Sequence, residues 1–423
     1  MEQENQQPTR LTGIDGLRAV AACSILTYHA WLYGTPSGER VDLGPVSHFL
    51  LSNLPVGVTL FFTLSAFLLY RPIAAAVLTD DRRPPLRRYL RARALRIVPA
   101  YWFVLMATGL VLGATLVRVS PGVVDTGHLG VSRVLILNAG LIQNYFPGSL
   151  LTGIAPAWSL AVEVVFYATL PMLGWGAARL ARGQVFRRRL VSALAPCLLL
   201  LVVGLSGKLV AQRLVLSAGG PSPGWDGDWH SVIVRSFWGQ ADLFAYGMAL
   251  AVLYISLERN VFALPNWWRW PVASSGLVAA VGAVVLADRT SYVPGTIVYE
   301  DLMAFACACL LTLVVVGNES GPSLLARALS WRPLMAVGLF SYSLFLWHEP
   351  LIRWLATRGL TLDGRMGFGI NVVMLAFIAG ALSALTYRFV ELPALRRKSR
   401  STMLPTPDAP PGTMAAVAGS RAP

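Results

Sequence analysis

Apolar runs of about twenty residues recur along the chain, separated by short segments in which arginine collects. A helix rises about 1.5 Å per residue, so about 20 apolar residues cross the hydrocarbon core of a bilayer. Ten such runs can be read, at residues 11–33, 54–77, 97–116, 157–180, 190–210, 231–253, 272–287, 297–316, 334–355 and 368–390. They imply an all-α fold, a polytopic membrane bundle of about ten transmembrane helices embedded in a lipid bilayer. Composition agrees: 55% of the 423 residues are hydrophobic and 13% charged, where soluble domains carry about 25% charged residues.

The arginines set the expected orientation. The densest cationic run, Arg82 to Arg96, follows the second segment and places that loop in the cytoplasm by the positive-inside rule. With ten segments, both termini then lie inside. This yields a cytoplasmic tail at 1–10, a membrane domain at 11–395 and a disordered cytoplasmic tail at 396–423. The formal net charge of +14 reads as a topology signal spread over short loops, so nucleic acid is not an expected partner. No cleavage site follows the first run, which reads as a retained span in the cell membrane. The piece at 131–145 is too short and too polar to span, and reads as interfacial or re-entrant. Cys23, Cys197, Cys307 and Cys309 fall within apolar runs without metal-ligand spacing, so they read as packing residues and no metal site is expected.

Ionisable groups inside these runs are the candidates for chemistry, because each is costly in lipid unless it meets a cavity or a partner. Arg18 and His29 are eleven residues apart in the first run. Three helical turns put them on nearly one face, about 16 Å apart along the axis. Snorkelling to the two interfaces is the plainer alternative, since Tyr28 and Trp31 flank His29. Arg93 and Arg96, three residues apart at the mouth of the third run, present two guanidiniums on one helix face. That pairing suits a phosphate, gripped by charge-assisted bidentate bonds, or else simple anchoring at the inner interface. Glu163 stands about one and a half turns into the fourth run, and His348 in the outer half of the ninth, at a depth comparable with His29. Together they suggest a polar pocket in the outer half of the bundle. Asp15 could pair with Arg18, and Asp242, two turns beyond Arg235, could be a helix–helix partner or a pocket residue.

Taken in order, these segments resemble the acyltransferase 3 family of integral membrane acyltransferases. The resemblance rests on Gly13-Ile-Asp-Gly-Leu-Arg18 with His29, Gly57 to Leu68, Arg93-Ala-Leu-Arg96, and Gln143-Asn-Tyr145. It continues through Trp158 to Tyr167, Asp242-Leu-Phe244, Ser341 to His348, and Tyr387 to Pro393. It implies an acyl donor, usually acetyl-CoA, taken from the cytoplasm, and a hydroxyl acceptor on a carbohydrate, a glycolipid or a macrolide-like molecule. On that basis Arg93 and Arg96 would hold the nucleotide phosphates and Arg18 would stand further along the path. His29 would act as general base, a task that suits imidazole, with Glu163 orienting or polarising it. Arg18, Tyr342 or His348 could stabilise the thioester oxyanion, and an acyl-enzyme on a residue such as His29 is also open. Many relatives append an extracytoplasmic hydrolase-like domain; with none after the tenth run, a second transfer step would call for a separate extracytoplasmic acyltransferase. Intramembrane Arg, Glu and His would equally serve a secondary transporter or glycan flippase, but no half-chain repeat supports that class.

Overall fold

A computed structural model describes residues 11–79, 85–120, 123–130, 133–217, 227–289, 293–317 and 322–400. Its long helices are α1 (Ile14–Tyr33), α3 (Val56–Thr79), α4 (Leu86–Met106), α6 (Trp158–Ala181), α7 (Phe186–Ser217), α9 (Phe237–Glu258), α10 (Arg269–Arg289), α11 (Val293–Val315), α13 (Arg332–Thr357) and α14 (Gly364–Thr386). Shorter helices are α2 (Pro45–Ser52), α5 (Arg133–Ala139), α8 (Trp229–Val234), α12 (Leu324–Leu329) and α15 (Leu392–Arg400). Among the described residues, eight helical segments are long and apolar enough to cross a membrane. The other two long helices, α1 and α13, have 20 and 26 residues and carry the arginine and the histidines. The protein is a polytopic helical membrane bundle.

The helices that carry the arginine and the histidines lie together in the bundle. α1 packs against α13 and α3, and α3 in turn against α9 and α6. Glycine permits the close approach. A Cβ on Gly338 would lie 2.0 Å from the Asp15 carbonyl oxygen, and one on Gly57 would lie 2.6 Å from the Ala21 oxygen. Any larger residue would push α13 or α3 off α1. Asp15 meets Gly338 at one end of the α1–α13 contact and His29 meets His348 at the other, so the two helices run parallel.

Several local expectations are corrected. The third apolar run does not open a helix at residue 97. The preceding arginine-, leucine- and alanine-rich stretch has high helix propensity, so α4 begins at Leu86 and Pro99 falls inside it. Arg93 and Arg96 therefore sit within a helix, as their three-residue spacing implied. The outer end of that run leaves the helix through a π-turn at Ala107–Leu112 and enters a two-stranded hairpin, β1 (Thr115–Ser120) and β2 (Val123–Gly127), an antiparallel exception to the all-α pattern. The piece at 131–145 contains only the seven-residue α5 and a turn of 3-10 helix. The sixth run is broken at Arg235-Ser236 between α8 and α9. The last span continues past α14 through a π-turn at Tyr387–Glu391 into α15, which is helical as far as Arg400. Residues 1–10, 80–84, 218–226, 318–321 and 401–423, on which parts of the topology and tail expectations fall, lie outside the described residues.

Candidate active site

Arg93 and Arg96 are one helical turn apart on α4, and Arg18 reaches the same place from α1. All three line an open cavity of about 120 Å³ between α1, α3, α4, α6 and α13. Ser65, Ser159, Glu163, Tyr167 and Tyr342 supply its other polar groups, while Phe61, Phe62, Leu68, Ile97, Leu160 and Phe345 make much of the apolar wall.

The three arginines are unequally held. Arg96 forms an ion pair with Glu391 (3.4 Å) and lies over the Tyr342 ring. Glu391 is buried, accepts a hydrogen bond from Ser343, and is turned inward by the π-turn at its own position. One extra residue in a helical turn rotates the side chains that follow, and such turns recur at functional sites. Arg93 lies over the Tyr167 ring, and its buried Nε has no hydrogen-bond partner. Arg18 makes no ion pair among the described residues, so the hydrogen-bonding capacity of two guanidiniums is available to a ligand. Three cations against Glu163 and Glu391 leave the cavity region cationic. Tyr342 donates its hydroxyl to the Ile97 carbonyl (2.8 Å), which ties α13 to α4.

Glu163 belongs to this cavity. It accepts a hydrogen bond from Ser65 on α3, and no hydrogen bond joins it to His29 among the described residues. The sequence reading put it beside His29. The geometry instead points it from α6 towards α3 and the arginines.

The histidines form a second centre. His348 Nε2 lies 3.1 Å from His29 Nδ1, with ring centroids 4.9 Å apart. The carbonyls around them determine the tautomers of two neutral rings. His348 Nδ1 is 3.2 Å from the Leu344 carbonyl, which can only accept, so Nδ1 carries the proton and Nε2 the lone pair. That lone pair requires a donor, so His29 Nδ1 is protonated, and the Ile25 carbonyl at 3.0 Å shares the same proton. His29 Nε2 is left with a free lone pair. A hydrogen-bonded imidazole of this kind has its base nitrogen fixed, and its conjugate acid is stabilised by the acceptor behind it. Tyr33 stacks on His29 at 5.8 Å, and Arg353, which is paired with Glu349, lies over the Tyr33 ring at 3.4 Å.

Phe345 connects the two centres. It lines the arginine cavity, and its ring centroid is 5.6 Å from that of His348. Along α13, Tyr342, Phe345 and His348 follow at three-residue steps, so Phe345 is a near neighbour of both.

Away from the site, Asp242 on α9 is a helix–helix partner, one of the two readings its place in the sequence left open. Its carboxylate lies 2.7 Å from the amine of Lys208 on α7, which also contacts Glu300 (3.1 Å) and Asp301 (3.3 Å) on α11. Arg235 lies over the Trp158 ring. Ser65, Tyr167 and Glu391 were not singled out from the sequence as site residues, although each lies in a stretch that carries the resemblance. Lys208 had a signal of its own, as an isolated cation within an apolar run.

A family profile described as an acyltransferase domain matches residues 11–388, nearly the whole chain. The chain belongs to the acyltransferase 3 family. Its relatives include YrhL of Bacillus subtilis (strain 168), 24% identical over 406 residues that cover 95% of this chain and 57% of that one. The exopolysaccharide production protein ExoZ of Rhizobium meliloti (strain 1021) is 27% identical over 354 residues, 83% of this chain and 92% of its own. The O-acetyltransferase OatA of Staphylococcus aureus (strain NCTC 8325 / PS 47) is 23% identical over 404 residues, 92% of this chain and 58% of its own. The chain thus spans a little over half the length of YrhL and OatA. No solved structure matches it.

Proposed function

We propose that this membrane acyltransferase moves an acyl group, in the first instance acetyl, from acyl-CoA to a hydroxyl of a cell-envelope or exported carbohydrate. The observation that carries the reading is the juxtaposition of the three-arginine cavity with a histidine pair whose outer ring presents a free lone pair. Arg18, Arg93 and Arg96 match the multiple negative charge of a nucleotide donor, and guanidiniums grip phosphate through paired N–H bonds. The basic α4 supports a cavity that opens towards the cytoplasm, in a cell-membrane protein with both termini inside. The pantetheine arm would extend past Tyr342 towards His348 and His29. The names of OatA, an O-acetyltransferase, and ExoZ, an exopolysaccharide production protein, favour a sugar hydroxyl over a glycolipid or a macrolide-like acceptor.

In direct transfer, His29 Nε2 takes the acceptor's hydroxyl proton as the oxygen attacks the thioester carbon. The C–S bond then breaks, the imidazolium returns the proton to the CoA sulfur, and an ester and free CoA thiol leave. His348 accepts from His29 Nδ1 throughout and stabilises the transient cation, as a buried acceptor does behind any catalytic imidazole. Its Nε2 is then engaged as an acceptor, and the Tyr342 hydroxyl already donates to the Ile97 carbonyl, so neither is set as the donor to the developing oxyanion. Glu163, bonded to Ser65, would order the cavity and balance its charge.

The test is transfer of label from [14C]acetyl-CoA to N-acetylglucosamine oligomers, and release of CoA thiol, by purified protein in lipid nanodiscs. Wild-type turnover that His29→Ala abolishes supports the reading. Equal thiol release by wild type and His29→Ala would contradict it.

A further inference from the structure

The end of the arginine cavity nearest the histidines is aromatic. Phe61 on α3 and Phe345 on α13 both line it, and their rings meet edge to face with centroids 6.1 Å apart and planes at 72°. Phe61 is one turn from Ser65, whose hydroxyl holds Glu163 in the polar middle of the cavity. Phe345 is one turn from Tyr342 on one side and from His348 on the other. His348 itself does not line the cavity, and Phe345 is the lining residue whose ring meets it. Val58 and Leu160 add to the apolar lining.

Resting on the proposed use of the cavity for acyl-CoA, we infer that Phe61 and Phe345 are specificity-determining residues that restrict the donor to short acyl groups. A thioester used in this transfer sets its carbonyl within reach of the acceptor oxygen that His29 Nε2 activates, and on this inference its alkyl tail lies against the two rings. An acetyl methyl lies against them as an ordinary apolar contact. Each further methylene has to displace a ring that is itself fixed, Phe345 by burial and contact with His348, and Phe61 by contact with Phe345. Close-packed aromatic groups do not yield cheaply, and one methylene in a fitted apolar site discriminates by about 10–200-fold. Truncating either ring opens space for the tail without touching an arginine or a histidine.

The experiment is equilibrium binding of CoA, acetyl-CoA, butyryl-CoA and hexanoyl-CoA to the full chain in nanodiscs, for wild type, Phe345→Ala, Phe345→Leu and Phe61→Leu. The leucine variants retain volume and keep the comparison available where alanine impairs folding. Wild type is expected to bind acetyl-CoA at least about tenfold more tightly than hexanoyl-CoA, and the truncations to bring that ratio close to one, each affinity being taken relative to the same variant's affinity for free CoA. Wild type that binds CoA but takes all chain lengths equally overturns the filter. So does a preference that persists in every variant. If wild type binds no CoA at all, the donor reading of the cavity fails first, and that outcome is distinct from the other two.

Discussion

Replacing His348 by alanine removes the acceptor behind His29 while leaving the arginine cavity intact. The bond lost is the 3.1 Å contact from His29 Nδ1 to His348 Nε2. It strengthens as His29 becomes an imidazolium in the transition state, and a hydrogen bond to a charged group is worth about 1.5–3 kcal/mol. At about 1.4 kcal/mol per factor of ten, kcat should fall about 10- to 150-fold. The Ile25 carbonyl, which also accepts from Nδ1, keeps His29 in its tautomer and holds the loss to that range. KM for the acyl donor should stay within about twofold, since His348 does not line the cavity. His348→Gln should recover much of the loss, because an amide oxygen can accept from Nδ1–H. Steady-state kinetics in nanodiscs, with apparent Tm measured alongside to separate unfolding from chemistry, read all three quantities. An alanine variant with wild-type kcat, or one whose defect lies wholly in donor KM, would refute this role for His348.

Three further outcomes follow from other contacts. Glu391→Gln removes the charge opposite Arg96, and donor KM is expected to rise several-fold with little change in kcat, as kinetics against donor concentration would show. Gly338→Ala puts a methyl 2.0 Å from the Asp15 carbonyl, so α1 and α13 separate and both apparent Tm and turnover should fall, whereas Gly369→Ala, in open space, should change neither. Lys208→Met leaves Asp242, Glu300 and Asp301 facing one another without their cation. Stability should drop by an amount on the order of 3–5 kcal/mol, visible as poor recovery from detergent or a much lower apparent Tm, and Lys208→Arg should restore much of it.

The bundle was legible because lipid imposes a simple rule on sequence, namely one apolar run of helical length per crossing. The shared depth of His29 and His348 followed from the same rule, since each could be placed within its run although 319 residues separate them. Arg93 and Arg96 were readable as a pair because three residues is nearly a full turn. What stayed hidden depends on contacts between distant helices or on irregular backbone. Glu163 was placed beside His29 by its height, but which way it points is decided by Ser65 on a neighbouring helix. Glu391 looks like the end of a span, and only the π-turn brings it onto Arg96. Lys208 and its three carboxylates come from α7, α9 and α11, and nothing in sequence spacing pairs them. Of the hairpin after α4 only Thr115 and Leu116 fell within an apolar run, and its strands are too short for periodicity to tell them from a run's end or a loop.

The most direct measurement separates donor binding from chemistry. Equilibrium binding and single-turnover transfer of [14C]acetyl-CoA would be compared for wild type, His29→Ala and the double variant Arg93→Ala/Arg96→Ala in nanodiscs. Loss of two charge-assisted grips should weaken binding of the double variant by about 10²- to 10⁴-fold, while His29→Ala should bind normally and transfer nothing. Normal binding without Arg93 and Arg96, or normal transfer without His29, would contradict the division of the site into an arginine cavity for the donor and a histidine pair for the chemistry.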